Sequence, residues 1–220
     1  MAARVSTRVS IAWSGTEPIE DTDTLVLTID GYSLDLRVFI DGKDKGSIDW
    51  STVAHVGEIE GSTKENPKLR WDHIIDSRPE TDMPDQGVFE TLLNGNVTET
   101  GTMFNPKTNL YEPYVETWRR KQLPAGQPYF VIQSKQEDVQ AYIGRVGNYA
   151  LGLAKDPDGR YYACRDELVE GESKWKRIYE FGQVGRYLPE LPVDVTQEWS
   201  RGKTIELGGS AWEIKTIGKL

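Results

Sequence analysis

Two short stretches carry the residue types that acid–base chemistry requires. In LRWDHIID, residues 69–76, a tryptophan, a histidine and two acids (Trp71, Asp72, His73 and Asp76) fall within six positions. Inside a barrel such a set could transfer a proton or hold a ligand carbonyl. Strict alternation puts Leu69, Trp71, His73 and Ile75 on one face and Arg70, Asp72, Ile74 and Asp76 on the other. His73 is therefore expected to point away from both acids and to need a partner from another strand. The competing reading is an outward, salt-bridged face with one satisfied histidine. In LYEPYVETW, residues 110–118, alternation projects Tyr114, Glu116 and Trp118 together. A phenol, a carboxylate and an indole on one face suit either a pocket wall or an interface.

These residues must be positioned by strands. The clearest is the run 24–40, TLVLTIDGYSLDLRVFI, where two β-rich segments flank Asp30-Gly31, a pair suited to the positive φ angles of a type I′ turn. That turn fixes the register: Ile29 faces Tyr32, Leu27 faces Leu34 and Leu25 faces Leu36, all on one face. The other face carries Thr24, Val26, Thr28, Ser33, Asp35 and Arg37 and is expected to meet water. A second hairpin is expected around Asn94-Gly95, and NPKTN (105–109) is the next turn. The segment 77–87, SRPETDMPDQG, reads as a long exposed loop or lid. No long helical pattern occurs; the short acidic stretch DELVEGE (166–172) is interrupted by its glycine. In WKRIYEF, alternation gives Trp175, Arg177, Tyr179 and Phe181 one face. RRKQLPAGQP, 119–128, combines charge, two prolines and a glycine without periodicity and marks a boundary. The expected fold is all-β, two antiparallel barrel-like domains over 1–120 and 129–220 joined by a linker at 121–128.

Composition narrows the classes. A chain of 220 residues should bury roughly 70% of its unfolded surface, enough for a cavity. Seven Trp and ten Tyr suit barrel interiors or pockets for unsaturated ligands. A net charge of −9 opposes nucleic-acid and anionic-lipid binding. The local basic run Arg119-Arg120-Lys121 reads as a solvated linker. The first residues lack the apolar core of a secretory signal, no run reaches the roughly 20 apolar residues of a membrane span, and Cys164 stands alone. A reducing cytoplasm is the expected location.

Motifs for other chemistries are missing from the sequence. His55 and His73 are the only histidines, so a zinc site would need carboxylates from distant strands. DPDG (156–159) lacks the rest of a calcium loop and reads as a turn. Neither a phosphate-binding glycine loop nor a GxSxG elbow occurs. Cys164 reads as a buried structural thiol.

The order of DTLVLTIDGYSLDLRVF, WDHIIDSR, ETGTMFNP, YVETWRR, YIGRVGNYALGLA and WKRIYEFG resembles a fungal family typified by a yeast casein-kinase-interacting protein. The resemblance covers most of the chain and implies two fused lipocalin-like β-barrels. One departure is WSTVAHVGEIEG (50–61), which introduces His55 where that family carries an aromatic, glycine-containing run. A branch of similar fungal proteins consists of hetero-Diels–Alderases of tropolone sesquiterpenoid biosynthesis, joining a tropolone quinone methide to a humulene-type alkene. Such a reaction needs no cofactor and no metal. It needs a shaped, water-excluding cavity and hydrogen bonds to the quinone methide carbonyl. On that reading His73, His55, Tyr114 and Glu116 are the catalytic candidates and Trp50, Trp71 and Trp118 the substrate-binding walls, with a hydrophobic small molecule as partner. The alternatives are a non-catalytic protein-interaction protein and a lipocalin-like carrier of a hydrophobic metabolite. Neither the sequence nor the resemblance assigns an oligomeric state.

Overall fold

Strand follows strand from Arg4 to Lys219 in the computed structural model, which describes residues 3–79, 84–169, 174–195 and 198–220. Eight strands pair antiparallel in chain order: β1 (Arg4–Trp13), β2 (Thr22–Ile29), β3 (Tyr32–Phe39), β4 (Ile48–Glu58), β5 (Lys68–Asp76), β6 (Asp85–Thr91), β7 (Val97–Asn105) and β8 (Leu110–Arg120). β8 returns to β1 and closes the barrel, so no edge is left to aggregate. The remaining strands are β9 (Pro128–Ser134), β10 (Gln140–Val146), β11 (Tyr149–Lys155), β12 (Tyr161–Leu168), β13 (Trp175–Phe181), β14 (Thr204–Leu207) and β15 (Ser210–Lys219). They form a seven-stranded antiparallel sheet in the order β13-β12-β11-β10-β9-β15-β14. Among the described residues the sole helical element is one 3-10 turn, Val184–Arg186, and no helix is long and apolar enough to cross a membrane.

The first hairpin has the expected register, Ile29 to Tyr32 and Leu25 to Leu36, and its turn has φ of 43° at Asp30 and 86° at Gly31. Its apolar face meets a core, as expected, but that core lies outside the barrel, and the polar face does not meet water. Leu25, Leu27, Ile29, Leu34 and Leu36 have no exposed surface, yet they point out of the barrel and pack on Val131, Tyr142, Val146, Leu151 and Leu153 of the second sheet. Burying each such side chain is worth roughly 1.5–3 kcal/mol, so this junction is a principal apolar core of the molecule. The polar face, expected to meet water, instead lines the barrel interior, where Thr28, Ser33, Asp35 and Arg37 are all buried.

The second sheet is covered on both sides. Its other face, with Phe130, Ile132, Ile143, Ala150 and Trp212, is packed by Val184, Leu188, Leu191 and Trp199. Strands buried on both faces read as continuous apolar runs, as in YFVI and YALGLA. Cys164 is a buried free thiol here, and burial pushes it up to about 12. A β-bulge shifts the register between β12 and β13, so Trp175 packs on one side of the sheet and Tyr179 and Phe181 on the other. The single face expected for these residues is therefore split.

β8 ends at Arg120 and β9 begins at Pro128. Arg119 and Arg120 are exposed, as expected, but belong to β8, paired with Thr7 and Ser6, and not to the linker. In the segment read as a lid, 80–83 lie outside the described residues, as do 170–172 of the stretch 166–172, whose first three residues complete β12.

Candidate site inside the first barrel

Alternation along the barrel strands turns Arg4, Ser6 and Arg8 of β1, Asp35 and Arg37 of β3, Glu99 of β7 and Tyr114, Glu116 and Trp118 of β8 inward. Except for Arg8, these residues line an inner chamber of ≈ 70 Å³. Tyr114, Glu116 and Trp118 are buried and meet there, as one side of its wall.

Two guanidinium groups share one carboxylate oxygen. Arg8 Nη1 donates to Glu116 Oε1 at 2.7 Å and Arg37 Nη1 donates to the same atom at 2.8 Å. Arg37 Nε also donates to Asp35 Oδ2 at 2.9 Å, while Arg8 donates to Glu20 and to Thr22 Oγ1. Burial alone would raise Glu116; the charges of Arg37 and Arg8 outweigh it and hold the group below the usual carboxylate range. Asp35 is pushed up by burial, and its Oδ1 is buried without a hydrogen-bond partner.

Glu99 is the third buried carboxyl of the chamber. It sits directly opposite Glu116 in the β7–β8 ladder; its Oε1 is hydrogen-bonded to Tyr114 Oη at 2.8 Å, and its Oε2 accepts from Trp118 Nε1 at 2.9 Å. Burial, with Glu116 and Asp85 nearby, pushes Glu99 up to about 8. Like charges directly opposed across a ladder repel, and this favours the protonated form of Glu99 beside the arginine-held Glu116.

The other candidates lie elsewhere. His73 Nδ1 is 2.7 Å from Asp76 Oδ2 and its Nε2 is 3.0 Å from Asp85 Oδ2. Burial would lower it, but the two carboxylates dominate and raise it to about 9. The expectation that it points away from Asp76 fails because a bulge at Ile74 shifts the β4–β5 register and reverses the alternation. Asp85 is the partner from another strand. His55 is exposed and packs on Tyr32, with ring centroids 4.7 Å apart. Neither histidine lines the chamber. Trp71 lines it and packs near Phe89. Trp50 is also at its wall, with the guanidinium groups of Arg37 and Arg78 over its ring at 4.9 and 4.7 Å and its Nε1 donating to Asp76 Oδ1.

Above the chamber the barrel opens into a mouth of ≈ 580 Å³, with Ile11, Trp13, Ile19, Phe39 and Met103 as its apolar wall, Arg8 and Arg37 at its base and a charged rim of Asp21, Asp41, Lys43, Asp44 and Lys107. Arg37, Trp50 and Met103 border both spaces.

Arg8, Asp35, Arg37 and Glu99 were not singled out from the sequence as site residues. For Glu99 a signal existed. A hairpin turned at 105–109 sets Glu99 against Glu116, and the mid-strand glycines Gly87 and Gly101 mark a close approach.

The profile of the family described as Protein HRI1 matches residues 4–216. Among solved structures, the crystal structure of the uncharacterized protein YLR301w from Saccharomyces cerevisiae is similar, with a TM-score of 0.82 and 15% identity over 99% of this chain and 100% of that one. At that identity the likeness speaks to the fold. No curated protein matches the chain.

Proposed function

The chain belongs to the Protein HRI1 family, and from that membership and the geometry of its closed barrel we propose that the mouth of the first barrel is a binding site for a hydrophobic small molecule. The observation that carries this reading is the ≈ 580 Å³ cavity in which an apolar and aromatic patch of Ile11, Trp13, Ile19, Phe39 and Met103 lies over a guanidinium floor and inside a charged rim that includes Asp21, Asp41, Lys43, Asp44 and Lys107. That volume lies within the roughly 300–1,000 Å³ of small-molecule sites. The inner chamber, at ≈ 70 Å³, takes only a head group or a few waters.

The specific reaction we assign to this site is the cofactor-independent hetero-Diels–Alder addition of a tropolone quinone methide to a humulene-type alkene. Trp13, Phe39 and Met103 would fold the macrocycle over the planar diene in a near-attack geometry. Positive charge from Arg37 and Arg8 at the base would draw electron density onto the quinone methide carbonyl, and exclusion of water would protect the intermediate. A carrier is the second reading, favoured by one observation: the arginine donors at the floor already serve Glu116, Asp35 and Glu20.

Incubation of the protein with a tropolone quinone methide precursor and humulene, followed by chiral chromatography against a protein-free control, tests the reaction. One enantiomer formed faster than background is the expected result. Adducts equal to the control in rate and selectivity, with humulene still quenching tryptophan fluorescence, leave the carrier. Equal adducts without quenching remove both readings.

A further inference from the structure

We propose that Glu99 is a resident neutral acid acting through Tyr114, and that the inner chamber thereby recognises the carbonyl oxygen of a neutral ketone or enone and rejects carboxylates. This rests on the reading of the first barrel as a small-molecule site.

The hydrogen-bond geometry assigns the proton. Trp118 Nε1 can only donate, so Glu99 Oε2, 2.9 Å away, accepts; the carbonyl oxygen is the better acceptor, and Oε1 alone faces a group able to accept the proton, which places the carboxyl proton on Oε1. Oε1 faces Tyr114 Oη at 2.8 Å. With Glu99 neutral, its O–H donates to the phenol oxygen and the phenol hydrogen is released toward the chamber. With Glu99 ionised, the phenol must donate to the carboxylate and offers the chamber only lone pairs. One proton therefore decides whether the chamber wall is a donor or an acceptor.

The surroundings favour the neutral form. Glu99 is faced by Glu116 on β8 and Asp85 on β6, with the charges of Arg37 on β3 and Arg4 on β1 nearby. Arg37 is committed to Asp35 and Glu116. The backbone is also shaped around the acid and the phenol. A Cβ on Gly87 would lie 2.7 Å from Glu99 Oε1, and one on Gly101 would lie 2.9 Å from Tyr114 Oη. Two adjacent strands give up a side chain so that this carboxyl and this phenol fit together. The charges that line the chamber offset one another, Arg4, Arg37 and Arg120 against Asp35, Asp85 and Glu116, and Arg37 is already committed, so an anionic ligand finds no net attraction and meets the partnerless Asp35 Oδ1, whereas a neutral carbonyl needs only the phenol hydrogen.

Carbon-13 NMR of the protein labelled at the glutamate carboxyl, titrated in wild type and Glu99→Gln, reads the proton. Binding of 2-cyclohexenone and of benzoate, followed by tryptophan fluorescence and by the infrared carbonyl stretch of the bound ketone, reads the ligand class. A carboxyl titrating near pH 8 that is absent from Glu99→Gln is the expected result. Ketone affinity should fall about tenfold as pH rises through that value, the worth of one hydrogen bond. Glu99→Gln, whose amide donates as the neutral acid does, should keep the low-pH affinity throughout, and Tyr114→Phe should lose about tenfold at every pH below 8. Benzoate should bind more weakly than the ketone at every pH. Titration of Glu99 in the ordinary carboxylate range, ketone affinity flat with pH in wild type, or unchanged binding by Tyr114→Phe overturns the proposal. So does failure of wild type and Glu99→Gln alike to bind the ketone. Whether the broader small-molecule reading falls with it is then told by humulene binding at the mouth in the same assay.

Discussion

Leu34 of β3 occupies the space that a side chain on Gly144 of β10 would need: a Cβ built there would lie 2.9 Å from Leu34 Cδ1 and 3.4 Å from Ile29 Cδ1. The barrel and the second sheet thus approach closely at one glycine. That contact explains how a barrel can fill its interior with charge. The apolar area that would ordinarily be the barrel's own core lies outside it, shared with the sheet, and leaves the inward face free for polar groups.

Substitution Gly144→Val should destabilise the protein by about 1–3 kcal/mol, because the added methyls must displace packed leucine and isoleucine. Leu34→Ala should cost about 2–5 kcal/mol by leaving a cavity at the same place. Urea unfolding of both variants checks this. A double variant that costs clearly less than the sum would show that the two positions share one contact.

Glu116 binds two buried guanidinium groups through a single oxygen. Glu116→Gln keeps the shape and removes the charge, leaving Arg8 and Arg37 poorly compensated. The expected loss is about 3–5 kcal/mol, measured by chemical denaturation at neutral pH. Tm and stability unchanged in this variant would show the arginine layer to be energetically idle.

The parts of this architecture that could be read in the sequence are those set by a turn. Asp30-Gly31 fixes the hairpin parity because only that spacing pairs Leu27 with Leu34. Which face turns inward could not be read, since the partner that covers the leucines is Val131 to Leu153, a hundred residues away. Bulges hid the rest. The extra residue at Ile74 brings His73 and Asp76 to one side, and a similar irregularity in β13 separates Trp175 from Tyr179. Tyr114, Glu116 and Trp118 were legible as a set because the inward-facing part of β8 carries no such shift against β7.

Glu99 links stability to pH. Its folded value, about 8, stands above the unfolded value of 4.5, so its contribution is fully present below pH 4.5 and is lost as pH rises through about 8. Wild type should therefore lose stability relative to Glu99→Gln across that window. Thermal scans of the two proteins at pH 5 and pH 9 check it: the difference in Tm should move in favour of the variant at the higher pH.

His73 makes the same sign with a different cause. Held between Asp76 and Asp85, it titrates at about 9 folded against 6.5 unfolded, so the charged clamp stabilises fully below pH 6.5 and fades as pH rises through about 9. The clamp also fixes Asp76, which accepts from Trp50 Nε1 and so steadies the ring that carries Arg37 and Arg78. His73→Gln should lower Tm by about 2–4 °C at pH 6, with the gap closing above pH 9. The variant should also loosen Trp50, seen as a red-shifted tryptophan emission. A Tm gap that stays constant with pH would mean that His73 is held neutral and acts by packing alone. In that case the charge on the imidazole would play no part in positioning the arginines of the barrel.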